Sequence, residues 1–182
     1  MKVKKFPIPG VLLIELDFYE DGRGLFLETF QKERYEKLGI KEKFVQDNRS
    51  VSEKNVLRGL HYQITTPIGQ LIYVARGSIF DIGVDLRRSS PTFGQYISFN
   101  LKEGDHQQVY LPPGIAHGFC TFDEVNEIHY KCTEYYFPED EGGLNWQDDS
   151  LNISWPIKNP KIKERDANFP FLKDIKELDL PI

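Results

Sequence analysis

Two histidines stand where proton chemistry is possible. His61 lies in Leu57-Arg58-Gly59-Leu60-His61-Tyr62-Gln63, and His117 in Leu111-Pro112-Pro113-Gly114-Ile115-Ala116-His117-Gly118-Phe119. An imidazole titrates near neutral pH, so either ring could remove and return a proton. In an extended segment, alternation points Arg58, Leu60 and Tyr62 one way and His61 and Gln63 the other. Gly59 is the residue at which a bulge could alter that facing. A histidine in a strand is more often a hydrogen-bonded structural group than a base, so the ring alone defines no site.

A possible acid lies in His129-Tyr130-Lys131-Cys132-Thr133-Glu134-Tyr135-Tyr136, where alternation puts Tyr130, Cys132 and Glu134 on one face. A phenol at Tyr130 could then donate a proton into the same space as a histidine. Two further segments, Asp21-Gly22-Arg23-Gly24-Leu25-Phe26-Leu27-Glu28-Thr29-Phe30 and Gln46-Asp47-Asn48-Arg49-Ser50, place arginine and amide groups around turns. The planar arginine fork matches phosphate or carboxylate oxygens two at a time.

The elements that must hold these groups read as strands. Val11 to Leu16, Leu71 to Ala75, Ser78 to Leu86, Tyr96 to Leu101, Gln107 to Leu111 and Glu127 to Cys132 are short and rich in β-branched or aromatic residues. Gly, Pro, Asn or Asp bounds each of them, a rhythm that favours an antiparallel sandwich or barrel. Gln31 to Gly39 predicts one short helix ended by glycine, and Asn168 to Leu178 another. Neither a repeat nor a low-complexity linker divides the chain, so residues 1–182 are expected to form a single domain, with an irregular arm from about 155 to 182 packing on the barrel.

Composition narrows the function. A chain of 182 residues, 40% of them hydrophobic, can bury one full core. Its net charge of -5 argues against a general nucleic-acid binder, yet a few focused arginines could still hold a diphosphate. No apolar run approaches the roughly 20 residues of a membrane span, and the N-terminal segment lacks a signal-peptide stretch, so a cytoplasmic protein without a membrane partner is expected. Cys120 and Cys132, the two cysteines, show neither CxxC spacing nor a histidine arrangement and read as buried thiols.

The Pro112 to His117 turn resembles the second motif of the cupin superfamily, whose histidine ligates a metal in many members. Metal-binding cupins usually supply two more histidines as HxH and a nearby glutamate, whereas this chain offers His61-Tyr62-Gln63. Two histidines without a clustered carboxylate supply a mononuclear site poorly, so no metal is expected.

Taken in order, DGRGLFLETF, FVQDNRSVSEKNVLRGLHYQ, GSIFDIGVDLRRSSPTFGQ, LPPGIAHGF, YKCTEYY and GGLNWQDDSLNISWP resemble the RmlC family, the dTDP-4-dehydrorhamnose 3,5-epimerases of deoxysugar biosynthesis. The likeness runs from about Pro9 to Asp166. It implies an all-β, cupin-type double-stranded β-helix (a jelly-roll barrel) with a few short helices. It also implies a homodimer with each site near the interface, a nucleotide-sugar substrate and no cofactor. Carried over by position, His61 matches the general base, Asp166 its carboxylate partner and Tyr130 the general acid on the opposite face. Arg23, Glu28, Gln46, Asp47, Asn48, Arg58, His117, Glu141 and Arg165 match substrate contacts, and Tyr136 the ring that stacks on the nucleotide base.

One position departs from that pattern. Relatives usually carry lysine in a GKLVxV segment facing the sugar, where this chain has Gly69-Gln70-Leu71-Ile72-Tyr73-Val74. A neutral amide stabilises an enolate less than an ammonium unless Arg58 or His117 supplies the charge. The implied activity is 3,5-epimerisation of a nucleotide-activated 4-keto-6-deoxyhexose. Gln70 leaves open a variant sugar or inversion at one carbon alone. A metal-dependent cupin isomerase and a non-catalytic sugar-nucleotide binder are the other readings. The missing HxH disfavours the first, and the joint presence of His61, Asp166 and Tyr130 disfavours the second.

Overall fold

The structure is a computed structural model and describes residues 1–181. The chain begins with β1 (Lys2–Lys5), β2 (Leu12–Glu15), β3 (Phe18–Asp21), β4 (Gly24–Leu27) and helix α1 (Lys32–Lys37). Strands β5 (Gln46–Ser52), β6 (Leu57–Gln63), β7 (Gln70–Arg76), β8 (Ser78–Asp85) and β9 (Tyr96–Lys102) follow. After them come β10 (Gln107–Leu111), β11 (Ile115–Thr121), β12 (Asn126–Cys132), β13 (Glu141–Gly143) and the short helix α2 (Glu164–Ala167).

Among the described residues, one antiparallel sheet runs β1-β2-β10-β7-β12-β5 and a second runs β13-β6-β11-β8-β9, with β3 and β4 forming a separate hairpin. From β9 onward successive strands change sheets, so β10 and β12 lie in one layer and β11 in the other, the winding of a cupin-type jelly roll. Ile72, Val74, Val109 and Ile128 from the first sheet meet Ile79, Phe99, Ile115 and Phe119 from the second in the core between them. The other faces are also covered. Leu12, Ile14 and Tyr110 pack on Tyr35 of α1, while Leu60, Ile82 and Ala116 pack beneath Trp146, Leu151 and Leu180. Residues of the C-terminal segment, Trp155, Ile162 and Leu172 among them, extend that second cover. Coverage on both faces explains why Ile79 to Asp85 of β8 reads as an almost unbroken buried run instead of alternating.

Two expectations need correction. Asn168 to Leu178 does not form a helix: it holds two single 3-10 turns, Leu172–Asp174 and Glu177–Asp179, while α2 lies upstream. Pro170 cannot donate a backbone hydrogen bond and restrains Phe169 before it, and the Leu172 N–H is taken by Asp148 Oδ2. The strand Gln46–Ser52 forms where polar composition suggested turns, because it pairs along its whole length with β12.

Candidate active site

The bulge at Gly59 decides what the site contains. On β6 and β11 the register pairs His117 with His61 but Phe119 with Arg58, so β6 spans the interval with one more residue than its partner. Gly59 has φ +112°, and a Cβ there would come within 2.6 Å of the His117 carbonyl oxygen and the Gly118 Cα. Only glycine fits such an approach. The extra residue breaks the alternation expected from the sequence: Arg58 and His61 border the same cavity, while Leu60 packs into the apolar layer behind.

That cavity is one lobe of a cleft between the sheets. The other lobe, a cavity of about 280 Å³, is bordered by Gln46, Asn48, Tyr136 and Glu141. His61, Gln70 and Tyr130 border both lobes and mark where they join. That lobe alone lies near the small end of ligand-pocket sizes, and the adjoining lobe extends it.

His61 Nε2 lies 3.1 Å from Asp166 Oδ2, and the carboxylate is almost wholly buried. Burial raises the Asp166 carboxyl, but hydrogen bonds from His61, the Gly59 N–H and Arg165 outweigh it and hold the group below the usual carboxylate range. An ionised Asp166 accepts from Nε2–H, which fixes the tautomer of a neutral ring and leaves the lone pair on Nδ1. The imidazole is therefore equipped as a base, with a carboxylate ready to stabilise its protonated form.

Tyr130 approaches from β12, in the facing sheet. Burial pushes its phenol above the ordinary tyrosine range, Cys132 adds to this, and Arg58 pulls the other way. The group stays protonated at neutral pH and can donate a proton. Cys132 borders the cleft beside Tyr130, whereas Glu134, beyond the end of β12, does not.

His117 sits across from His61 with its Nε2 2.7 Å from Asp81 Oδ1. Asp81 is fully buried, and the sequence reading missed it. Its signal was an acid within the apolar run Ile79-Phe80-Asp81-Ile82, which burial demands be paired. Gln63 was also missed. Its amide donates to the Thr66 and Tyr135 carbonyl oxygens and accepts from the Phe137 N–H, thereby fixing the segment that carries Tyr136.

Not every expected residue joins the cleft. Gln46 and Asn48 face it, but Asp47 points the other way along β5 and pairs with Lys131 at 2.8 Å. Arg23 lies on the β3–β4 hairpin and binds Asp21, while Glu28 pairs with Arg34. Neither borders the cleft of its own chain. Arg165 and Glu141 do meet beside His61, joined by a salt bridge. Among the described residues, no group of three or more His, Cys, Asp or Glu side chains is placed to hold a metal ion.

A jelly roll whose inter-sheet cleft joins an imidazole–carboxylate pair to a buried phenol defines the class: a cupin-type protein furnished for proton transfer. The chain belongs to the dTDP-4-dehydrorhamnose 3,5-epimerase family, whose pattern matches residues 5–174. It is 45% identical to the dTDP-4-dehydrorhamnose 3,5-epimerase of Salmonella typhimurium over 175 residues, covering 94% of this chain and 96% of that protein. A Streptomyces niveus dTDP-4-dehydrorhamnose 3-epimerase is 35% identical, with 99% of this chain and 88% of that one covered. The fold superposes with a TM-score of 0.95 on a Legionella pneumophila dTDP-6-deoxy-D-glucose-3,5-epimerase crystallised with dTDP-4-keto-L-rhamnose, 42% identical and covering 99% and 97% of the two chains.

Proposed function

We propose that this protein converts dTDP-4-dehydro-6-deoxy-D-glucose to dTDP-4-dehydro-L-rhamnose by inverting C3 and C5 in turn. A hydrogen beside the 4-keto group is acidic because its loss gives an enolate. His61 removes that proton through Nδ1, and Asp166 stabilises the resulting imidazolium. Tyr130 returns a proton to the opposite face, inverting the carbon, and the reaction then repeats at the second carbon. The charge that develops on the ketone oxygen is met by Arg58, His117 and the Gln70 amide, and a well-placed donor contributes about 3–4 kcal/mol. The single observation that carries the reading is that His61, with Asp166 behind it, and Tyr130 border one cleft from opposite sheets.

The nucleotide end follows from the second lobe, with Tyr136 as the stacking ring and Gln46, Asn48, Glu141 and Arg165 as polar contacts. Arg23 and Glu28 fit a homodimer. They lie near a hairpin that leaves Phe18, Tyr19, Leu25 and Phe26 exposed, a surface suited to a second copy whose cleft they would reach. Gln70 favours a second reading, epimerisation at one carbon, because a neutral amide replaces the cation of relatives. Incubating the purified protein with dTDP-4-dehydro-6-deoxy-D-glucose and resolving the product by proton NMR tests both. Inversion at C3 and C5 supports the first reading and inversion at C3 alone the second, while an unchanged sugar refutes both.

A further inference from the structure

A continuous chain of polar contacts runs from the nucleotide lobe to the imidazole. The Tyr136 hydroxyl donates to Glu141 Oε2 at 3.1 Å, and the same carboxylate binds the Arg165 guanidinium. Arg165 Nε donates to Asp166 Oδ1 at 3.2 Å, Asp166 Oδ2 holds His61, and Arg165 Nη2 lies 3.4 Å from the His61 ring. The Glu141 side chain is nearly buried, at 10% exposure, so solvent does little to screen it, whereas Arg165 is half exposed.

We infer that Glu141 is a positioning residue that sets the base strength of His61 by holding the Arg165 guanidinium. The inference rests on the reading of His61 as the base. Around the ring stand Asp166 and Arg165 from α2, Glu141 from β13, Tyr130 from β12 and Arg58 on β6 itself, with His117 and its partner Asp81 across β11 and Lys163 just ahead of α2. Within this set Glu141 neutralises the cation nearest the imidazole. Without its charge, Arg165 keeps Asp166 as its remaining carboxylate partner, so more of its positive charge reaches the ring and disfavours the imidazolium. Without Arg165, the two carboxylates act together and favour it. Removing the two partners of one salt bridge must therefore move His61 in opposite directions, which loss of a merely structural contact would not do.

The test is a proton–carbon NMR titration of the histidine Cε1–H signals in the full-length protein, with His61→Asn identifying the His61 resonance. Glu141→Gln, which keeps the shape, is expected to lower the His61 midpoint by about half a pH unit or more. Arg165→Gln is expected to raise it by a similar amount, and Arg165→Lys to stay near the original value. Shifts of the same sign, or no shift in either glutamine variant, overturn the inference. The titration needs no substrate. Failure of the protein to exchange substrate protons would sink the epimerase reading alone, so the two failures are distinguishable.

Discussion

His61 and His117 are cross-strand partners on β6 and β11, and each is bound through Nε2 to its own buried aspartate, Asp166 Oδ2 at 3.1 Å and Asp81 Oδ1 at 2.7 Å. Their exposure separates them. The His61 side chain is 30% exposed, whereas that of His117 is 11% exposed. Under the proposed reading the two pairs do different work, the exposed one exchanging a proton and the buried one fixing a donor deep in the cleft.

Breaking the inner pair should cost stability. His117→Ala leaves Asp81, whose Oδ2 has no partner, with neither oxygen paired in the interior. Removing one partner of a buried pair typically costs about 3–5 kcal/mol. Asp81→Asn keeps the shape without the charge and should cost only about 1–2 kcal/mol. Urea unfolding would measure both, and equal losses would contradict a larger penalty for stranding Asp81 than for replacing it.

Gly59→Ala tests the bulge. The added methyl meets two β11 backbone atoms at 2.6 Å under a positive φ, so neither side chain rotation nor a small shift can relieve it. A loss of about 3 kcal/mol or more is expected, and deuterium exchange at the sugar should fall as Arg58 and His61 part. Thermal unfolding at wild-type temperature would show that the strand tolerates a Cβ there.

Asp140 is one source of acid sensitivity. Burial raises its carboxyl, but hydrogen bonds from Thr65 and Thr66 prevail and hold it at about 2, below its ordinary 3.8. A depressed carboxylate contributes stability that is fully present above the unfolded value and lost as pH falls through the folded one. Asp140→Asn should therefore destabilise by about 2 kcal/mol at pH 7. The gap from wild type should close between about pH 4 and pH 2. A gap that stays constant over that range in urea titrations would contradict the linkage.

Much of this was legible in the residues. The strand rhythm and the glycine-ended α1 follow from local pattern, whereas His61, Tyr130 and Asp166 were singled out together only by the family resemblance. What was hidden depends on partners distant in sequence. The facing of Arg58 turns on one extra residue measured against β11, which no window around Gly59 contains. Gln46–Ser52 reads as polar turn because the pairing that makes it a strand comes from β12, about 80 residues later. The buried Asp81 reads as an oddity until His117 lies beside it. Arg23 and Glu28, expected at the site, lie apart from the cleft of their own chain.

Gln70 probes how the ketone charge is met. Its Oε1 is buried at the junction of the two lobes and has no hydrogen-bond partner among the described residues. Gln70→Lys adds a cation there and should speed the slower of the two carbon exchange rates by about tenfold. Solvent-deuterium incorporation at C3 and C5 gives both rates. An unchanged pattern and rate would show that this position does not meet the developing charge.

The most direct test compares His61→Ala and Tyr130→Phe by proton NMR in heavy water with dTDP-4-dehydro-6-deoxy-D-glucose. The account predicts that His61→Ala loses exchange at both carbons, with a fall of at least about 100-fold. Tyr130→Phe should still exchange but give little inverted sugar, since the opposite face lacks its proton donor. Exchange at the full rate without His61, or complete inversion without the Tyr130 hydroxyl, would contradict a base and an acid working from opposite sheets.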